Sequence, residues 1–153
     1  MNIFRFRLQQ LLNFRIRKED SLKRDMAEAR QLLYNEELRL QGLRDELVAF
    51  YREWEEQQKR SHSIEDFRVY HDYQARLQLS MDQQRQKIAD QEKVVEEVRN
   101  NLVAASKDKR VLERLKDRKH QEYVKAADKE EQGFLDHIGT RAYSDRLAAQ
   151  NNN

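Results

Sequence analysis

The sequence predicts an all-α fold: two long helices in an antiparallel coiled-coil hairpin, the second helix longer than the first. Three observations carry this. An apolar seam runs unbroken in one heptad frame from Leu8 to Trp54. A second seam runs from Phe67 to Leu112 after a short polar interruption. Among the 153 residues, Pro is absent and Gly occurs 3 times, in a chain that is 38% charged and 38% hydrophobic. Disorder usually brings Pro and Gly, and a compact globule usually carries less charge, so this balance favours long helices.

In the first seam the a positions are Leu12, Glu19, Met26, Leu33, Leu40, Leu47 and Trp54. The d positions are Leu8, Arg15, Leu22, Ala29, Glu36, Leu43 and Phe50, so only Glu19, Arg15 and Glu36 are not apolar. A two-in-seven stripe sustained this long belongs to a coiled-coil helix; a single globular amphipathic helix shows a wider stripe and ends sooner. The expected span is about 4–58, roughly 70 Å at 1.5 Å per residue, and such a helix needs a partner for its seam. Residues 1–8 are basic and aromatic, a frayed start whose Phe4 and Phe6 cap the seam. On the outer face, Glu19 with Lys23, Asp20 with Arg24 and Glu55 with Lys59 stand in the favourable i,i+4 order, each worth about 0.2–0.5 kcal/mol.

Residues 59–63 are polar and form the expected turn. Ser63 followed by Asp66 fits a capping box, which starts a second helix near Ile64. The second seam has Phe67, Gln74, Met81, Ile88, Val95, Leu102 and Lys109 at a. Tyr70, Leu77, Gln84, Gln91, Val98, Ala105 and Leu112 take its d positions. Two long helices joined by a short turn are antiparallel neighbours. Folding about residue 62 sets Trp54 beside Tyr70, Leu47 beside Leu77, Leu33 beside Gln91, Met26 beside Val98 and Leu12 beside Leu112. The first helix runs out opposite about residue 116, while helical pattern continues through Tyr123, Ala127, Phe134, Leu135 and Ile138. This overhang, to about residue 143, has no intramolecular partner, and it either frays or binds something. The expected organisation is a single hairpin over 1–146 and a disordered tail over 147–153.

No enzyme site is evident. There is no phosphate-binding Gly loop, no H-E-x-x-H and no Cys nucleophile. The four histidines lack metal-ligand spacing, and a hairpin offers no pocket to shift the pKa values of its acids. No cofactor or metal is expected. The net charge of +2 names no nucleic-acid or membrane partner. No apolar run reaches the about 20 residues of a membrane span, and Met1–Arg7 lacks the apolar core of a secretion signal, so a cytoplasmic protein is expected.

Two surface regions stand out. At the tip, Phe50, Tyr51, Trp54, Phe67, Tyr70 and Tyr73 place six of thirteen aromatics in a short span. Four are seam residues; Tyr51 and Tyr73 flank the seam, suiting either a protein contact or a bulky core that locks the turn. At the termini, Arg5, Arg7, Arg15, Arg17 and Lys18 precede any acid. The fold brings Lys107, Lys109, Arg110, Arg114, Lys116, Arg118 and Lys119 towards them. Such a cluster steers an acidic partner, binds phosphates or is simply solvated.

Phe4-Arg5-Phe6-Arg7-Leu8-Gln9-x-Leu11-Leu12-x-x-Arg15, then Glu19-Asp20 and Ala27-x-Ala29, resembles the N-terminal signature of the FliJ family of flagellar type III export proteins. Val111-Leu112-Glu113-x-Leu115-Lys116-x-Arg118, then Tyr123, Glu130-Glu131 and Asp136, resembles its C-terminal block. The resemblance implies a non-enzymatic coiled coil similar to the central stalk of rotary ATPases. It implies that the termini enter the ring of the export ATPase (FliI) and promote its assembly and activity. It further implies that the tip contacts the cytoplasmic domain of the export gate (FlhA) and that export chaperones are partners. Carried onto this sequence, Arg7, Arg114, Lys116, Arg118 and Lys119 become ATPase-contact residues, and Tyr51, Tyr73 and Leu77 gate-contact residues. The implied location is the cytoplasm, peripheral to the inner membrane at the flagellar base. The equivalent stalk of a virulence secretion system, a generic coiled-coil adaptor and a nucleic-acid-binding coiled coil remain as rival readings.

Overall fold

The two seams are realised as two helices, α1 (Gln9–Gln58) and α2 (Ile64–Asn151), which pack against each other as a hairpin with α2 the longer. The computed structural model describes residues 2–60 and 63–151. Ser61 and His62 of the expected turn, and Asn152 and Asn153 of the expected tail, lie outside the described residues. No strand is present among the described residues, and no helix there is long and apolar enough to cross a membrane. The chain divides into two compact units, one of Met1–Arg17 with Ser106–Asn153, the other of Lys18–Ala105.

Burial follows the heptads closely. Every a and d position of both seams is buried or half-buried except Leu8 and Phe67, at the two extremities of the pattern. In the Lys18–Ala105 unit, Met26, Ala29 and Val95 form a core cluster, with Leu33, Val98 and Leu102 packed against it. The polar seam positions are accommodated by name. Glu19 is only 4% exposed and its carboxylate pairs with Lys23 Nζ at 2.8 Å. Gln84, 6% exposed, donates from Nε2 to the Glu36 backbone carbonyl at 2.9 Å and to the Glu36 carboxylate. Gln91 Nε2 donates to the Ala29 carbonyl at 3.0 Å. Two glutamines one heptad apart thus clasp two carbonyls one heptad apart, which ties the helices in register.

The capping box forms as expected: Asp66 Oδ2 accepts from Ser63 N at 3.1 Å, and Ser63 Oγ accepts from Asp66 N at 3.3 Å. Of the surface pairs expected at this end, Lys59 takes Glu56 at 3.5 Å, an i,i+3 partner.

The termini unit departs from the expected helix spans. α1 begins at Gln9, and residues 2–8 are an arm without helical structure. Gln9 N bonds the Phe6 carbonyl at 3.1 Å and Leu12 N bonds the Leu8 carbonyl at 2.9 Å, which turns the arm into the helix. The arm is non-helical because its anchors pull it across α2. The Phe4 ring meets His120 edge-on at 5.1 Å and Tyr123 at 5.5 Å, and Tyr123 Oη donates to the Asn2 carbonyl at 2.6 Å. Below the arm, Leu12 and Leu112 are buried, and Arg15 pairs with Asp108 at 3.0 Å. At the other limit α2 stays helical to Asn151, past residue 143 and into the segment expected to be disordered. Gly133 and Gly139 each cost about 1 kcal/mol relative to Ala, too little to stop a helix with no Pro in its path.

Candidate functional surfaces

At the tip, an aromatic stack occupies the seam. Trp54 stacks on Tyr70 at 4.1 Å and Phe50 on Tyr70 at 4.8 Å, with Phe67 edge-on to Trp54 at 5.3 Å. The pairing of Trp54 with Tyr70 is the one the register predicts. The stack divides two grooves. On one side lies a groove of about 590 Å³ lined by Glu46, Phe50, Glu53, Trp54, Tyr70 and Tyr73 among others. On the other side, Tyr51, Phe67, His71 and Gln74 line a groove of about 630 Å³.

The two flanking tyrosines therefore face different grooves. Tyr51 is 36% exposed and its Oη accepts from Gln74 Nε2 at 2.9 Å. Tyr73 is half-buried, 4.4 Å from the Phe50 ring, and its Oη donates to Glu46 at 2.5 Å. That bond, with some burial and the charge of Glu46, raises the Tyr73 phenol above its usual value of 10.0. Burial raises Tyr70 likewise. Leu77 is 5% exposed, a seam residue beneath the tip rather than a surface one.

In the termini unit the arm builds a basic surface. Phe4, Phe6, Leu8 and Leu115 floor a groove of about 590 Å³ whose charged lining is Arg5, Arg7 and Lys119. An adjoining groove of about 390 Å³ adds Lys116. The structure thus gathers three of the five predicted termini residues, Arg7, Lys116 and Lys119. Arg114 and Arg118 are exposed on α2 and line neither groove. Lys119 also holds Glu122 at 2.9 Å, and that hydrogen bond, ahead of the charge attraction, lowers the Glu122 carboxyl below its usual value of 4.5. Composition groups Arg5 with the basic end without singling it out; its presence in both grooves depends on the arm crossing α2, which heptad reading does not reveal. Farther along α2, Phe134, Leu135 and Ile138 are exposed at 64%, 58% and 48%. Phe134 and Ile138, four residues apart, share a helical side with Glu131, and the half-buried Ala127 lies two turns before them.

No group of His, Cys, Asp or Glu suited to a metal ion is found among the described residues. The surfaces are open grooves with aromatic or basic linings.

An antiparallel hairpin of two long helices with an aromatic tip and a basic, arm-bound termini region defines the class: an all-helical coiled-coil protein. A family model described as the flagellar FliJ protein matches residues 4–148, nearly the whole chain. The chain belongs to the FliJ family and is a coiled-coil component of flagellar export. No curated protein and no solved structure matches it.

Proposed function

We propose that the protein is the stalk of the flagellar type III export apparatus. Its termini unit inserts in the export ATPase ring and promotes assembly and hydrolysis, and its tip contacts the cytoplasmic domain of the export gate. The observation that carries this reading is the gathering of Arg5, Arg7, Lys116 and Lys119 around an apolar floor, with Phe134, Leu135 and Ile138 exposed farther along α2. Basic charge steers an acidic ring surface, and the exposed Phe134, Leu135 and Ile138 supply area to bury once docked. Arg114 and Arg118 extend the charged region along α2. At the tip, Tyr51 and Tyr73 offer contact surface, and Leu77 supports them from within the seam. Export chaperones are further partners, and the place of action is the cytoplasmic face of the inner membrane at the flagellar base.

The test is charge reversal at Arg7 and Lys119 in the full chain, with ATPase stimulation and helicity measured together. Loss of stimulation at unchanged helicity supports the assignment. Full stimulation by the folded variant removes the basic grooves from the ATPase contact. Tyr73→Ala separately is expected to weaken gate binding while leaving stimulation intact; equal loss of both would mean that the two regions are assigned wrongly.

A further inference from the structure

The tip groove on the Tyr73 side has a chemistry of its own. Among the described residues its charged lining is three carboxylates, Glu46, Glu53 and Asp66, against one cation, Arg76. Its walls are the rings of Phe50, Trp54, Tyr70 and Tyr73. Glu53 also lines a smaller adjoining cavity of about 160 Å³ with Phe50, Trp54 and Gln57. Ring faces carry negative potential, so acids set among them make one surface that favours a cation twice over. The groove across the stack differs: among the described residues Glu55 is its one carboxylate, with His71 and two glutamine amides beside it.

We propose that this groove binds a basic segment of a partner protein, with an arginine side chain laid against the Trp54–Tyr70 stack and its guanidinium held by Glu53 and Glu46. The proposal rests on the reading of the tip as a contact surface and names the chemistry of what it contacts. Arginine fits better than lysine, because the planar guanidinium stacks on rings and forks onto a carboxylate, whereas an ammonium does only the second poorly. The groove runs from Glu46 to Gln57 along α1, about 16 Å at 1.5 Å per residue, which suits a short extended segment rather than a lone ion. Glu46 has a second part: by accepting from Tyr73 Oη it fixes the ring that forms one wall.

The experiment uses the full chain and its sole tryptophan, Trp54, as reporter. An acetylated, amidated Gly-Arg-Gly-Arg-Gly peptide is titrated while Trp54 fluorescence is read, with the Glu counterpart of the peptide alongside. The expected result is a saturable change with the Arg peptide alone, abolished near 1 M salt, where charges are screened over about 3 Å. Glu53→Gln, an isosteric change at an exposed position, is expected to weaken it, and Glu46→Gln/Glu53→Gln to weaken it by roughly five- to tenfold. The amide oxygen that Glu46→Gln introduces can still accept from Tyr73, so the double variant keeps the wall, and circular dichroism checks its fold. No saturable change with the Arg peptide, or equal affinity in the folded double variant, overturns the proposal. Gate binding measured on the same samples separates the two claims: a tip that binds the gate domain but not the Arg peptide refutes the cationic groove and leaves the tip contact standing. A tip that binds neither removes both.

Discussion

Gln84 occupies a d position at the heart of the Lys18–Ala105 unit, and its substitution by Leu and by Ala should have very different costs. Its Nε2 makes two bonds, one to the Glu36 carbonyl and one to the Glu36 carboxylate. The carbonyl also lies within α1, where the helix ladder supplies an acceptor's usual partner, and the carboxylate also accepts from Arg39 at 3.1 Å. Removing Gln84 therefore orphans neither group completely, and the loss is about 1–2.5 kcal/mol for the two bonds. Leu in its place, at a position only 6% exposed, regains about 1.5–3 kcal/mol of apolar burial. Gln84→Leu should accordingly change stability by less than about 1 kcal/mol. Gln84→Ala loses the bonds and one buried methylene and leaves a cavity where the amide stood, for a total near 3 kcal/mol. Urea unfolding followed by circular dichroism reads both. A Leu variant as unstable as the Ala variant would refute the packing argument, and an Ala variant within about 0.5 kcal/mol of the parent would mean that this layer is not closed in solution.

Further outcomes follow from the arm, the tip and the overhang. Phe4→Ala should release residues 2–8 and raise hydrogen exchange and protease cleavage there while leaving the unfolding of the Lys18–Ala105 unit unchanged; unaltered protection would deny the Phe4 anchor on His120 and Tyr123. Tyr73, held above its usual 10.0 chiefly by its bond to Glu46, contributes stability fully present below about pH 10 and lost as pH rises through its folded value. Ultraviolet difference titration should show two phenols delayed, those of Tyr70 and Tyr73, of which one is restored towards the others by Glu46→Leu and absent in Tyr73→Phe; an undelayed Tyr73 would contradict the bond. Gly139→Ala meets nothing within 4 Å and should raise helicity, by about 1 kcal/mol of helix propensity; a loss of helicity would show that the segment packs on something.

The seams are legible because a coiled coil writes its burial directly into a seven-residue period, and Leu12, Met26, Ala29, Leu77 and Leu112 are buried where the frame puts them. Even the turn carries a local signal in Ser63 and Asp66. The arm does not: Phe4 is held by residues more than a hundred positions away, and no local pattern distinguishes it from a frayed helix start. The helical course to Asn151 escapes a reading by periodicity, because residues 147–151, Leu-Ala-Ala-Gln-Asn, carry no seam. At the sites, Arg7, Lys116 and Lys119 converge because the arm crosses α2, so the sequence shows their grouping only as shared charge. Tyr51 and Tyr73 look like equivalent flanks in the heptad frame, yet the Trp54–Tyr70 stack puts them on different grooves with different charge.

The central claim is that this chain activates the flagellar export ATPase through its termini unit. The most direct test measures ATP hydrolysis by the purified export ATPase with and without the full chain, with co-sedimentation of the two on the same samples. Binding together with stimulated hydrolysis, both lost on charge reversal at Arg7 and Lys119 in a folded variant, is the result predicted. A folded hairpin that neither binds the ATPase nor changes its rate would contradict the account.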